Sequence, residues 1–478
     1  VQDKYSEEMS ALLAGNLSGS MSRRDVLKRA SALGLSASMI SYLVRSNGTA
    51  AQDATPVPDP TAGRTIVVPQ GLRTDLGGTR ISAVLADPTD PNGPFLEAAI
   101  AKFGEATGIT VEFIRGETSA TDRLQSYRQQ WAGQSGADVY QIDVIWPGVV
   151  AEHAVNLLPT LQDLASQHFE AIVANNTVDG ALVGMPWFTD AGLLFYRTDL
   201  LEKYGLQPPT TWAELTMAAQ TIQDGERGAN PSFNGFVWQG NVYEGLTCNG
   251  LEWQVSNGGG FIVEADGTVS VNNPQAIAAF DRARGWVNTI SPEGVTTFQE
   301  PDSFNIWIAG NAAFIRNWPY VWAASQAPES PIVGKVGVSP LPKGDGEGAR
   351  NADTLGGWQL MVSKYSKNQE AGIEFVKYMC SPELETAFAV ERSMLPTIAS
   401  VYDAPEVAAA SEFIPRLKDV FQGGAVARPS SVTGEQYPEI SAIYYTELNQ
   451  VLTGAKSGAD AAAMMESQIK EALAGSDL

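Results

Sequence analysis

From residue 79 the chain alternates short apolar runs with segments whose apolar residues recur every three or four positions. "ISAVLAD" (81–87) predicts a strand, "PFLEAAIAKFGEATG" (94–108) a helix that stops at its glycine, and "ITVEFI" (109–114) a second strand. Together they form a βαβ unit. The pattern returns in "TDRLQSYRQQWAG" (121–133), with Leu124, Tyr127 and Trp131 at helical spacing, and in the strand of "VYQIDVIWPG" (139–148). Such alternation predicts an α/β fold with a mainly parallel sheet covered on both faces by helices. It continues well past residue 200: "TWAEL" places Thr211 and Glu214 as a capping box, and "NNPQAIAAF" places Asn273 before Pro274 at a helix start.

A chain of 478 residues exceeds what one core usually organises, so two lobes are expected, and 44% hydrophobic content can fill both. Asp and Glu outnumber Lys and Arg by 54 to 31, a net charge of −23. No basic stripe of the kind that neutralises phosphates is left, which argues against a nucleic-acid partner. Two His and two Cys give almost no material for zinc or thiol chemistry, so neither metal nor cofactor is expected. Cys248 and Cys380 are far apart in sequence, and a disulfide and two buried thiols both remain open.

The first 51 residues read as an export signal, the alternative being an amphipathic surface helix. "SRRDVLKRA" (22–30) supplies paired arginines, "SALGLSASMISYLV" a short apolar stretch, and "NGTAAQDA" the small residues of a cleavage site. The segment resembles a twin-arginine signal, with Val26 where that class usually has Phe. A Pro-rich linker, 52–78, follows with "TPVPDPTAG".

Trp146, Trp187, Trp238, Tyr243, Trp318, Tyr320 and Trp358 all stand within two residues of Gly, Pro, Asn or Asp, at predicted strand ends or in loops. In open α/β sheets ligands bind beyond the carboxyl ends of strands, so this set can face one cleft. Arg123, Asp143, Asp190, Glu244, Asn317 and Arg428 accompany it. Sugars offer C–H faces to aromatic rings and hydroxyls to carboxylates and guanidinium groups, which makes this a carbohydrate-binding composition. Paired carboxylates also cleave glycosides, and Asp143 with Asp190 or Glu244 would be the pair in an exported glycoside-processing enzyme. Against that reading, the chain shows no nucleophile elbow, metal cluster or phosphate loop.

"YQIDVIWPGVVAEHAVNLLP", "GMPWFTDAGLLFYRTDLLEKYGL", "WQGNVYEGLTCN", "GNAAFIRNWPY", "TLGGWQLMVSKYSKN" and "ARPSSV" occur in consistent order across roughly residues 79–478. The sequence thereby resembles the extracellular solute-binding proteins of carbohydrate ATP-binding-cassette importers, in particular the trehalose/maltose-binding branch. The resemblance implies a two-lobe periplasmic-binding-protein-like fold of type II with its cleft between the lobes. It implies an N-terminal lobe of 79–190 and 353–411 and a C-terminal lobe of 191–352 and 412–478. The chain would pass between them near Asp190, Gly356 and residues 402–412. It further implies a non-enzymatic, exported monomer at the periplasmic or extracellular face of the membrane. That monomer would bind a disaccharide or short oligosaccharide and deliver it to membrane permease subunits. Carried over residue by residue, Asp87, Arg123, Asp143 and Asp190 would hydrogen-bond sugar hydroxyls, Trp318, Tyr320 and Trp358 would stack on sugar faces, and Gly356 would let the backbone approach. Arg428 matches the family's "ARP" arginine, and Tyr243 and Glu244 come from "VYEGL".

Overall fold

In a computed structural model of the chain, β1 (Arg80–Val84) and β2 (Thr110–Ile114) pair in parallel around the helix Gly93–Thr107. The helix ends where Gly108 turns left-handed at φ 74°, its N–H closing on the Gly104 carbonyl. The helix Ala120–Ala132 starts under Ser119, whose hydroxyl accepts from the Asp122 N–H, and leads into β3 (Val139–Asp143). Described residues are 66–411, 413–415, 417 and 425–475. The export signal and residues 52–65 of the predicted linker lie outside them. Residues 66–78 depart from the linker reading. Ile66 is buried in the core, Val68, Leu72 and Leu76 pack on it, and the Arg73 N–H donates to Glu374 Oε1 at 2.8 Å. This apolar spacing lays the segment on the helix Gln369–Met379.

A small hairpin, β4 (Thr177–Val178) and β5 (Ala181–Leu182), precedes β6 (Met185–Ala191). The first sheet runs β12 (Ala425–Val426), β11 (Asp353–Val362), β3, β1, β2, and β6 also pairs with β11. Side chains alternate across it. Val139 packs with Phe95, Phe103 and Phe375 on one face, while Tyr140 and Ile142 pack with Tyr127 and Trp131 on the other. The second sheet is β10 (Val336–Ser339), β7 (Leu193–Arg197), β9 (Ala312–Asn317), β8 (Asn234–Val237). Leu194 and Phe314 face Trp212, Trp253 and Trp286, whereas Leu193, Phe195 and Ile315 face Trp307 and Tyr402.

Both sheets are mixed, which corrects the expectation of mainly parallel ones. β7 is antiparallel to both β10 and β9, and β11 is antiparallel to both β3 and β6. The chain enters the second lobe directly from β6 through Gly192, without the crossover helix that parallel pairing needs. The two crossing strands lie side by side, Leu355 opposite Ala191 and Gly356 opposite Asp190. A third passage comes earlier than the expected 402–412. Phe388 and Met394 still pack in the first lobe, but Ala389, Leu395, Ile398, Val401, Tyr402 and Val407 pack with the second sheet, so the chain changes sides over residues 388–395. Among the described residues no helix is long and apolar enough to cross a membrane.

Candidate functional site

All eleven residues singled out from the sequence line one cavity of about 270 Å³: Asp87, Arg123, Asp143, Asp190, Tyr243, Glu244, Trp318, Tyr320, Gly356, Trp358 and Arg428. The first lobe supplies the loop after β1, the start of the helix Ala120–Ala132 and the end of β3. Asp87 folds its loop by accepting from the Thr89 N–H at 2.7 Å and the Thr89 hydroxyl at 2.5 Å. Arg123 donates through Nε and Nη2 to the Glu117 carbonyl, at 2.9 and 2.6 Å, and its guanidinium carbon lies 5.0 Å from the centre of the Trp358 ring.

Tyr243 and Glu244 open the helix Glu244–Ser256 of the second lobe, and Trp318 and Tyr320 follow β9. Arg428 joins the two sides. Its Nη2 donates to Asp143 Oδ1 at 3.1 Å and its Nη1 to Glu244 Oε1 at 2.9 Å, with all three residues buried. Burial raises both carboxyl pKa values, and the Arg428 charge pulls each back down. The Tyr437 and Ser441 hydroxyls also donate to Glu244, the latter at 2.6 Å.

Asp190 is different. It is buried, and its Oδ1 finds no hydrogen-bond partner among the described residues. Burial first, then the nearby Asp143 and Asp90 carboxylates, push its pKa well above the ordinary value, with Arg316 opposing. A buried oxygen left without a donor carries a desolvation cost that a bonded one does not. Among the described residues no group of three or more His, Cys, Asp or Glu is arranged to hold a metal ion.

Sequence reasoning missed Asp90, Gln141, Phe188, Glu300, Phe304 and Asn305, which also line the cavity. Glu300 is the most consequential, since its Oε2 accepts from the Tyr243 hydroxyl at 2.6 Å and its Oε1 from Trp318 Nε1 at 3.2 Å. Three aromatics of the predicted set belong to the core instead: Trp146, Trp187 and Trp238 are at most 2% exposed. Trp238 satisfies its indole N–H inside, on Ser291 Oγ at 3.0 Å, and Trp146 backs Trp358 edge to face at 5.7 Å. Asn317 is fully buried too, its Oδ1 accepting from the Trp318 N–H at 2.8 Å. Cys248, on the cavity wall, and Cys380, in the first lobe's core, are free thiols.

A family model described as bacterial extracellular solute-binding protein matches residues 86–385. A probable ABC transporter-binding protein of Deinococcus radiodurans is 46% identical over 370 residues, covering 77% of this chain and 87% of that one. The maltodextrin-binding protein of Bacillus subtilis is 22% identical over 377 residues, covering 73% of this chain and 84% of its own length. Among solved structures, the maltose-bound MalE3 protein of T. maritima superposes with a TM-score of 0.78 at 35% identity. The match covers 82% of this chain and all (100%) of that one.

Proposed function

The chain belongs to the bacterial extracellular solute-binding proteins of ABC importers, and on that premise we propose that it binds a neutral disaccharide of the trehalose, maltose or sucrose type and hands it to a membrane permease. One observation carries the reading. Carboxylates, guanidinium groups and the rings of Trp318, Tyr320 and Trp358, drawn from both lobes and the strands between them, line a single cavity. Asp190, on the cavity wall, hydrogen-bonds a sugar hydroxyl, and the rings cover the sugar's C–H faces. Both cavity arginines are already engaged, Arg428 by two carboxylates and Arg123 by a carbonyl, which favours a neutral sugar over a sugar phosphate. The same engagement occupies Asp143 and Glu244, and supports binding without cleavage. The lobes close around the sugar by rotation at the crossing strands, and the protein acts as an exported monomer without a cofactor.

A melting series with trehalose, maltose and sucrose tests this. A ligand at about 100 times its Kd adds about 2.7 kcal/mol of stability, a plain rise in Tm. No rise with any of the three, or protein-dependent release of glucose from them, would overturn the proposal.

A further inference from the structure

Behind the cavity wall, one buried ion pair touches both crossing strands and the Trp318 ring. Arg316, on β9, is fully buried and does not line the cavity. Its Nε donates to Glu252 Oε2 at 2.9 Å and its Nη2 donates to Glu252 Oε1, so the guanidinium meets both oxygens of the carboxylate. Its Nη1 donates to Gln239 Oε1 at 3.2 Å. Such a fork fixes orientation as well as distance. Replacing a buried ion pair by apolar side chains is often neutral or stabilising, so stability alone does not explain why one sits here.

Its surroundings offer a reason. Gly192, the residue joining β6 to β7, lies against the pair so closely that a Cβ would overlap Glu252 Oε1 and Arg316 Nη2. Thr354, on the other crossing strand, donates its N–H to the same Glu252 Oε1 at 3.3 Å and accepts from the Gly192 N–H at 3.1 Å. Towards the cavity, the Arg316 guanidinium carbon lies 4.2 Å from the centre of the Trp318 ring. The Trp318 ring in turn abuts β11, its Cζ3 lying 3.0 Å from where a Cβ of Gly356 would stand.

We infer that Glu252 and Arg316 are positioning residues for the binding site: the pair backs Trp318 and bears on both crossing strands, so ring position and lobe angle are set together. A sugar stacked on Trp318 then favours the lobe arrangement in which the ring is backed in this way, and that differential contact drives closure. The inference rests on the reading that a sugar occupies this cavity.

The test uses Arg316→Lys, which keeps the charge but loses the planar fork and its flat contact with the ring. Dyes attached at exposed positions 129 and 221, one on each lobe, report lobe closure by energy transfer. The probe ligand is whichever of trehalose, maltose and sucrose raises the parent's Tm most. At saturating sugar the parent closes fully, whereas Arg316→Lys closes partly and binds roughly tenfold more weakly. In a Trp318→Leu background the same change adds little further loss, because the ring it acts through is gone. Glu252→Gln, nearly isosteric and neutral, shows the same partial closure and serves if the lysine variant fails to fold. A lowered sugar-free Tm with full closure, or losses that simply add in the double variant, would reduce the pair to a structural role. Absence of any sugar response in the parent overturns the sugar reading and this inference together.

Discussion

Asp190 and Gly356 face each other across the pairing of β6 and β11, so closely that a Cβ at position 356 would stand 3.0 Å from the Asp190 Cβ and 3.0 Å from Trp318 Cζ3. The cavity is narrowest in chemical terms where its backbone wall, its unpartnered carboxylate and a stacking ring meet. Gly356→Ala should therefore push ring and carboxylate apart by a few tenths of an ångström. Overpacking of this sort costs about 1–3 kcal/mol of stability, read as a lower Tm, and the displaced ring and carboxyl should weaken sugar binding measured by isothermal titration. Unchanged affinity would mean that the ring moves aside freely.

Asp190→Asn tests the carboxylate itself. Asn keeps the size but turns one oxygen of the carboxyl into an amide donor, so sugar binding should weaken by about 1 kcal/mol, the worth of one hydrogen bond. The pH dependence has a definite sign. With its pKa raised by burial and then by Asp143 and Asp90, the folded protein keeps a proton that the unfolded chain releases above about 3.8. Stability is lost as pH rises from there to the raised folded value. The Asn variant cannot ionise, so its Tm in the absence of sugar should fall less steeply across that window.

Arg428→Ala leaves Asp143 and Glu244 buried without their shared cation. Removing one partner from such an arrangement costs about 3–5 kcal/mol, to be read as a lower urea midpoint at unchanged m. Arg428→Lys should lose less, since one carboxylate keeps a charged donor. A near-parental midpoint for the Ala variant would show that water reaches both carboxylates.

A second buried group of titratable residues gives a two-sided pH profile. His168 Nδ1 lies 2.8 Å from Thr397 Oγ1, and that hydroxyl also bonds Glu385, whose Oε2 accepts from the Thr397 and Ile398 N–H groups at 2.9 and 3.0 Å. Burial lowers the His168 pKa from 6.5 to about 3, so stability falls as pH falls through that interval. Burial also raises the Glu385 pKa from 4.5 to about 8, so stability falls as pH rises between those values. His168→Asn should flatten the acid side of a Tm-against-pH curve, and Glu385→Gln the neutral side. Parallel curves for parent and variants would locate the pH dependence elsewhere.

Replacing Arg23 and Arg24 by Lys keeps the charge but removes the guanidinium forks. Precursor should then accumulate in the cytoplasm, as seen by immunoblot of cell fractions. Normal processing would point to a general secretory signal.

How much of this was legible in the sequence follows from what is local. Gly108, Thr211 with Glu214, and Asn273 act within a turn of themselves, and each helix starts or stops where they stand. The eleven cavity residues were found because their short motifs persist in order along the chain. Glu300 was missed for the opposite reason. Its neighbours Gln299 and Asp302 read as the cap of a helix, while the groups it serves, Tyr243 and Trp318, lie 57 and 18 residues away. Trp187 and Trp238 likewise stand within two residues of turn-forming ones, yet Trp187 lies in a buried strand and Trp238 just past another, both in the core. Strand direction in the second sheet was hidden too, because apolar alternation is the same whichever way a strand points.

The two free thiols answer to different movements of the chain. Cys248 borders the cavity, where burial pushes its pKa up to about 12, and Cys380 is sealed among the aromatics and aliphatics of the first lobe, its Sγ 3.9 Å from the Met185 carbonyl. A neutral alkylating reagent meets the first whenever the cleft gapes and the second only when the fold itself comes apart. Labelling rates at the two positions therefore form a pair of internal clocks, one timing the breathing of the site and the other the lifetime of the native state.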